Sequence, residues 1–533
     1  MGAGGAAALP SAPPSGSASP GGPGAGGTRG DQDEGSGKRG DKENRDDKGD
    51  RGDKGDRGEE SGRPGSPGST SASTPPASAS ASATAPSSAS ASASASASAK
   101  PSAVARPAPA GAVLAAAAAG PGAGLPTAQG LQQALATVLT DQNLGTVGLA
   151  VADAADGQLL YGKGENTAAT PASTTKLATS VAALSLIPGD TRLATRVVKN
   201  AATGGITLVG GGDPTLTALP ADQVQVAGVP ADPDTAPASL DALARQTAAA
   251  LKAAGTTTVA LDYDVSLYTG PLLHKNHDGE NIAAVTPLMV DEGKTDPKSL
   301  ADAPARVADP AGAAAESFAN LLKAQGVTVQ AKAKAATAPA AADAPVLGRV
   351  DSPTMARLVE RMLTTSDNTL AEAIARQAAI AAHQPAAFEG AATAVTQELA
   401  RLGVPMTGVV LNDGSGLHPG NAIPPAVLVK LLALAASAQH PALRPVLTGL
   451  PIAGFTGTLG KRFGAGSGAA DAAGLVRAKT GSLSGVNTLA GTVVDAEGRL
   501  LAFALMTRTG APVDTARAAM DRVVARLAAC GCH

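Results

Sequence analysis

Residues 475–507 read LVRAKTGSLSGVNTLAGTVVDAEGRLLAFALMT. Three runs in this stretch, 475–480, 488–495 and 499–507, have the alternating or continuously apolar pattern of strands. The third is almost wholly apolar, as a strand covered on both faces must be. A helix is predicted over 513–527. At the other end of the folded part, Thr146–Asp153 alternates like a strand and 157–161 reads as its hairpin partner across Ala154-Ala155-Asp156. Before them, Leu131, Ala134, Leu135 and Val138 mark one helical face. Strands and a helix therefore open the fold, and strands and a helix close it. This order predicts the α/β (α+β) class, with an antiparallel sheet flanked by helices and its first and last strands side by side.

Between these ends, Thr170-Pro171-Ala172 leads into a helical run that continues through Leu186 and is stopped by Pro188. Short strands are predicted at 206–209, 257–265 and 327–329. Leu240, Leu243, Thr247 and Leu251 share a helix face ended by Gly255, and a second helix carries Phe318, Leu321 and Leu322. Met355, Leu358, Val359, Met362 and Leu363 form the clearest amphipathic helix. A composition shift near 200 and an Ala/Pro-rich stretch at 331–345 bracket an insert. The expected division is a main domain of 126–200 and 346–529, with inserted structure over 201–345.

The chain has 533 residues with 2% aromatics and no Trp, so its core must be aliphatic. Residues 1–125 hold little besides Gly, Ala, Ser, Pro and charge, and are expected to form a disordered low-complexity tether. Three Arg-Gly-Asp triplets inside it, beginning at Arg29, Arg39 and Arg51, follow from that composition. No export signal is visible there: Met1 is followed by Gly and Ala, without a basic stretch or an apolar core. The apolar stretch 112–119 is too short to span a bilayer. A net charge of −3 gives no reason to expect a nucleic acid partner. The two cysteines exclude a disulfide scaffold, and Cys530-Gly531-Cys532-His533 is expected to be a frayed tail. His274, His277, His383, His418 and His440 have no metal-ligand spacing, and His274-x-x-His277 reads as loop. No metal or cofactor is expected.

Three short motifs carry the chemistry. Ser173-Thr174-Thr175-Lys176 follows Pro171 where a helix is predicted to start. Three helical residues turn the chain by about 300°, so Ser173 and Lys176 lie side by side. A desolvated amine there can take the proton of the serine hydroxyl. Ser366-Asp367-Asn368 follows the Met355 helix, where a hydroxyl can relay a proton and an amide can bind a peptide group. Lys479-Thr480-Gly481-Ser482 ends a strand-like run. On an edge strand Gly481 would let a substrate backbone approach, while Lys479, Thr480 and Ser482 hold a carboxylate.

In this order the three resemble the S-x-x-K, S-D-N and K-T-G set of penicillin-binding proteins and serine β-lactamases. The chain is most similar to the low-molecular-mass D-alanyl-D-alanine carboxypeptidases/endopeptidases with a large insert in the transpeptidase domain, over about residues 130–528. Lys176 and Ser366 lie 190 positions apart, far more than a compact β-lactamase uses. Further matches are 208–216 (LVGGGDPTL), 411–417 (LNDGSGL), 450–454 (LPIAG) with Gly457-Thr458-Leu459, 268–271 (YTGP) and 287–291 (PLMVD). The Gly-rich stretches 210–212 and 414–416 are expected to make tight structural turns near the cleft, with no chemical step assigned to Asp213, Asp413 or Ser415.

The resemblance implies a β-lactamase/transpeptidase-like fold and acyl transfer on peptidoglycan stem peptides, with β-lactams as inhibitors. Ser173 is then the nucleophile, Lys176 its base and Ser366 the proton relay to the departing D-Ala. Asn368 binds the peptide amide, and Lys479, Thr480, Gly481 and Ser482 form the carboxylate site. The activity implied is that of a serine-type D-Ala-D-Ala carboxypeptidase, with DD-endopeptidase action on cross-links as a further reading. A serine β-lactamase is the alternative, against which stands the lack of a Glu-x-x-Leu-Asn motif, and a non-catalytic binder of wall peptides is another. The implied substrate lies outside the cytoplasmic membrane, so an export segment or membrane anchor is expected upstream of the given start.

Overall fold

The computed structural model describes residues 124–533, in which two five-stranded sheets carry the fold. Beside them form two short two-stranded pairs, Gln225–Val226 with Val229–Pro230 and Thr258–Val259 with Thr328–Val329. In chain order the strands of the two five-stranded sheets are β1 (Thr146–Asp153), β2 (Leu159–Lys163), β3 (Arg192–Lys199), β4 (Ile206–Val209) and β5 (Leu261–Asp264). After these come β6 (Lys334–Ala335), β7 (Val346–Thr354), β8 (Val476–Leu483), β9 (Val486–Val494) and β10 (Leu500–Arg508). The helices are α1 (Ala128–Leu135), α2 (Thr175–Leu186), α3 (Leu240–Ala253), α4 (Pro310–Ala324) and α5 (Met355–Thr365). They continue with α6 (Asn368–Ala381), α7 (Phe388–Arg401), α8 (Pro425–Ala436), α9 (Pro445–Thr448) and α10 (Val513–Ala528).

The first sheet has the order β8-β9-β10-β1-β2, antiparallel throughout. Its first and last strands are neighbours, with Leu149 of β1 opposite Leu505 of β10. The apolar run of β10 sorts by period two. Leu501, Phe503 and Leu505 join Leu149, Val151 and Leu489 on the face that packs against α1 and α10. Ala502 and Ala504 join Ala150, Ala152 and Ala490 on the other face, where their short side chains let the buried helices α2 and α8 lie close. Residues Thr175 to Leu184 of α2 are all buried, so the helix that follows the serine motif is a central rod rather than a surface helix.

The second sheet, β6-β5-β4-β3-β7, is mixed and is covered by α3 and α4. Leu240, Leu243, Phe318 and Leu322 of these helices meet Val197, Ile206 and Leu208. This corrects the expected bounds of the insert. β3 and β7 pair antiparallel with each other and lie outside 201–345, so the sheet begins at Arg192 and ends at Thr354. The chain enters and leaves the insert through adjacent strands, a pairing of distant segments that a local composition shift does not register.

A second correction concerns the C-terminus. Cys530 and Cys532 are joined by a disulfide. The Thr127 amide donates to the Cys532 carbonyl at 2.7 Å, and the His533 ring meets Glu497 at 2.6 Å. These contacts tie the last residues to the entry of α1 and to the turn before β10, so the tail is held rather than frayed. The expected tether, apart from its last two residues, lies outside the described residues.

Candidate active site

Ser173 sits in a short 3-10 turn, Ala172–Thr174, immediately before α2 rather than in the helix itself. Ala172, the residue before it, has φ of 48°, a left-handed conformation that a non-glycine residue adopts at some cost. The turn is held by the Pro171 carbonyl, which accepts from Thr174 Oγ1 at 2.7 Å and from Thr488 Oγ1 of β9 at 2.8 Å. Gly416 (φ 85°) packs directly on Ala172, where any Cβ would overlap the Ala172 carbonyl. One turn on, fully buried Lys176 places Nζ 2.9 Å from Ser173 Oγ.

Lys176 has two further acceptors: Asn368 Oδ1 at 2.6 Å and the Ser415 carbonyl at 2.8 Å. Burial lowers its ammonium to a pKa of about 8, against the opposing pull of Asp367, Asp413 and Glu372. A lysine with this pKa is partly neutral near physiological pH and is correctly placed to take the Ser173 proton.

Ser366-Asp367-Asn368 forms a helix-to-helix corner. Ser366 ends α5 in the left-handed conformation (φ 62°), and Asp367 caps α6 by accepting from the Leu370 amide at 2.8 Å. Asn368 is the first residue of α6. Its Oδ1 faces Lys176, while its Nδ2 donates to the Asn281 carbonyl at 2.9 Å. Ser366 Oγ accepts from Lys479 Nζ at 2.8 Å.

β8 is the edge strand that closes the other side. Lys479 is also fully buried, and burial together with the Lys176 charge depresses its ammonium well below the usual lysine range. Thr480 Oγ1 lies 2.7 Å from Thr458 Oγ1. Ser482 is exposed at the rim, where Arg517 Nη2 donates to its hydroxyl at 3.1 Å. Gly481 has a reason within the enzyme itself. A Cβ there would meet Pro171 O at 2.8 Å and Ser173 N at 3.0 Å, so the missing side chain admits the turn that carries Ser173. Among the described residues, therefore, the eight predicted site residues do converge, with Ser482 at the margin.

The insert reaches into this site through the loop between β5 and α4. Besides the Asn281 carbonyl on Asn368, the Ala283 amide donates to Thr369 Oγ1 at 3.0 Å. Arg306 Nη2 pairs with Asp367 Oδ2 at 2.8 Å, both side chains being nearly inaccessible. Burial works to raise the Asp367 carboxyl, but the Arg306 charge and hydrogen bond outweigh it and hold the group below the usual carboxylate range. Removing one partner of such a pair strands a buried charge, so Arg306→Ala is expected to cost about 3–5 kcal/mol of stability in urea unfolding. The same variant should slow acylation of Ser173, because the corner that holds Asn368 loses its brace.

Sequence reasoning missed several of these parts. The acceptor from Ser415 is a backbone carbonyl, and Asn281, Arg306 and Glu372 stand in no motif. Glu372 of α6 is fully buried and accepts from the Ser415 amide at 2.7 Å and the Gly414 amide at 3.0 Å. Thr458 and Asp413 stood inside matched segments, 457–459 and 411–417, without a role. His274, expected in a plain loop, is buried and bonded to Asp413.

A buried lysine on one serine, and a second on another serine beside an edge strand, define a serine acyl-transfer enzyme on a transpeptidase-like fold. Comparison with known proteins is specific. The D-Ala-D-Ala carboxypeptidase 3 (S13) family profile matches residues 131–305 and 297–527. Carboxypeptidase Rv3627c of Mycobacterium tuberculosis is 35% identical over 420 residues, covering 77% of this chain and 86% of that protein. Carboxypeptidase DacB of Mycolicibacterium smegmatis is 35% identical over 421 residues, with the same coverage of 77% and 86%. In fold, the chain is similar to the solved penicillin binding protein 4 (dacB) of Haemophilus influenzae. That likeness has a TM-score of 0.57 at 20% identity and covers 75% of this chain and 98% of that one. The chain belongs to the S13 family and is a serine-type D-Ala-D-Ala carboxypeptidase.

Proposed function

We propose that the chain removes the terminal D-Ala from peptidoglycan stem peptides through an acyl-enzyme on Ser173. The observation that carries this reading is the 2.9 Å contact between Ser173 Oγ and the buried amine of Lys176. Neutral Lys176 takes the hydroxyl proton as Oγ attacks the carbonyl carbon of the penultimate D-Ala. The oxyanion that forms is held by the amides of Ser173 and Ser482. The C–N bond then breaks, and the departing amine takes the Ser366 proton as Lys479 Nζ passes one to Ser366 Oγ across their 2.8 Å contact. Water then attacks the ester carbonyl, and its proton returns through Ser366 to Lys479. Lys176 hands the proton it holds back to Ser173 Oγ as the ester C–O bond breaks.

The peptide's terminal carboxylate sits against Lys479, Thr480 and Ser482. Its negative charge raises the depressed pKa of Lys479 and restores the ammonium that binds it. Asn368 serves in two ways, its Oδ1 steadying Lys176 while its Nδ2 is offered to the peptide carbonyl in place of Asn281. A β-lactam presents an amide and a carboxylate in the same relation, and its ring opening leaves Ser173 acylated. Stem peptides are outside the cytoplasmic membrane, so the proposed place of action is extracytoplasmic, reached through an export segment or anchor. Release of one D-Ala per stem pentapeptide tests the reading. An intact pentapeptide after incubation with folded protein would contradict it.

A further inference from the structure

Both fixed acceptors of Lys176 are held from behind by the same insert loop. Asn368 is held by the Asn281 carbonyl, as described. Ser415 is held through Asp413. This carboxylate accepts from four donors: the Gly416 amide at 2.9 Å and Asn421 Nδ2 at 2.7 Å on Oδ1, and the His418 amide at 2.6 Å and the His274 ring at 3.0 Å on Oδ2. Burial alone would raise the Asp413 carboxyl, but these hydrogen bonds, that from His274 foremost, keep it below the usual carboxylate range. Asp413 therefore folds the turn from 413 to 418 around itself. Glu372 grips the Gly414 and Ser415 amides, and Thr179 Oγ1 of α2 donates to the Gly414 carbonyl at 2.6 Å. With its amide gripped from one side and its turn from the other, the Ser415 carbonyl has one direction left to point, toward Lys176 Nζ.

His274 is the member of this set that comes from the insert. Its Nδ1 accepts from the Asn276 amide at 3.1 Å, which makes Nε2 the protonated nitrogen and so the donor to Asp413. Its ring is buried and meets the Phe388 ring edge to face, 5.1 Å between centroids. The two nitrogens thus have separable duties: Nδ1 shapes the local loop, and Nε2 braces Asp413.

We propose that His274 is a positioning residue for the catalytic lysine, acting through Asp413 and the Ser415 carbonyl. The insert then supplies part of the cage around Lys176. This rests on Lys176 serving as the base toward Ser173. The test uses the full chain and separates the two nitrogens. His274→Gln carries an amide N–H at the reach of Nε2, and His274→Asn carries a carbonyl at the place of Nδ1. Asn421→Ala removes another donor to the same carboxylate without touching His274. For each, the acylation rate constant and the pre-acylation dissociation constant for benzylpenicillin are measured beside thermal melting.

Small displacements of a catalytic group cost up to about 10²-fold in rate. His274→Asn is therefore expected to lose about 10- to 100-fold in the acylation rate constant, with the dissociation constant little changed. His274→Gln should stay within a few-fold of wild type, and Asn421→Ala should fall in the same direction as His274→Asn. Equal rates in wild type, His274→Asn and Asn421→Ala would overturn the proposal, as would equal losses in the Asn and Gln variants. A wild-type chain that is folded yet not acylated would overturn instead the reading on which it rests.

Discussion

Lys176→Met is expected to slow acylation of Ser173 by about 10²- to 10⁴-fold, the usual contribution of a positioned general base. The substitution keeps the buried stem and removes the amine. Three contacts vanish together: those to Ser173 Oγ, Asn368 Oδ1 and the Ser415 carbonyl. The pH dependence of the wild type makes the same claim from another side. Only the neutral amine accepts the hydroxyl proton, and burial brings the Lys176 pKa down to about 8. Acylation should therefore rise with pH, by about tenfold per unit well below that pKa, and level off above it. The Met variant should lack this rise. A pH profile of penicillin acylation from 6 to 10 checks both statements. A wild-type rate flat across that range, or a Met variant with the same slope, would contradict the assignment.

Gly481→Ala is the second large expected effect. The added methyl would sit 2.8 Å from the Pro171 carbonyl and 3.0 Å from the Ser173 amide, and nearer still to Thr488 Oγ1. Backbone lies on one side and a threonine hydrogen-bonded to that backbone on the other, so the turn carrying Ser173 must move. Such overpacking costs about 1–3 kcal/mol in stability. The larger effect falls on rate, on the order of 10²-fold, because Ser173 shifts relative to Lys176 and to the oxyanion position. Urea unfolding and acylation kinetics on one preparation separate the two. Near-wild-type acylation in the alanine variant would show that the turn tolerates the methyl.

The three motifs were legible because each pairs side chains through local geometry. Ser173 and Lys176 are one helical turn apart, Ser366 and Asn368 flank a corner, and the strand around Lys479 alternates. The closing strands were legible for a related reason: the run that forms β10 is almost wholly apolar, which marks a strand covered on both faces. What escaped was nonlocal or made of backbone. α6 was missed although Asp367 is an ordinary helix cap, because the break before it is made by Ser366, a left-handed serine where glycine is the usual signal.

The Ser415 carbonyl cannot be seen in a side-chain pattern, and Asn281, His274 and Arg306 come from a loop whose sequence shows no period. A second reason for Gly481 escaped for the same cause. An edge-strand glycine suggests an approaching substrate; the structure adds an approach by the enzyme's own backbone, 310 residues earlier in the chain.

The most direct test of the central claim is the intact mass of the full chain after exposure to benzylpenicillin, with Ser173→Ala treated alongside. The account predicts a gain of one penicillin mass in the wild type and none in the variant. An adduct that persists in Ser173→Ala, or a folded wild-type chain that gains no mass, would contradict the assignment of Ser173 as the nucleophile.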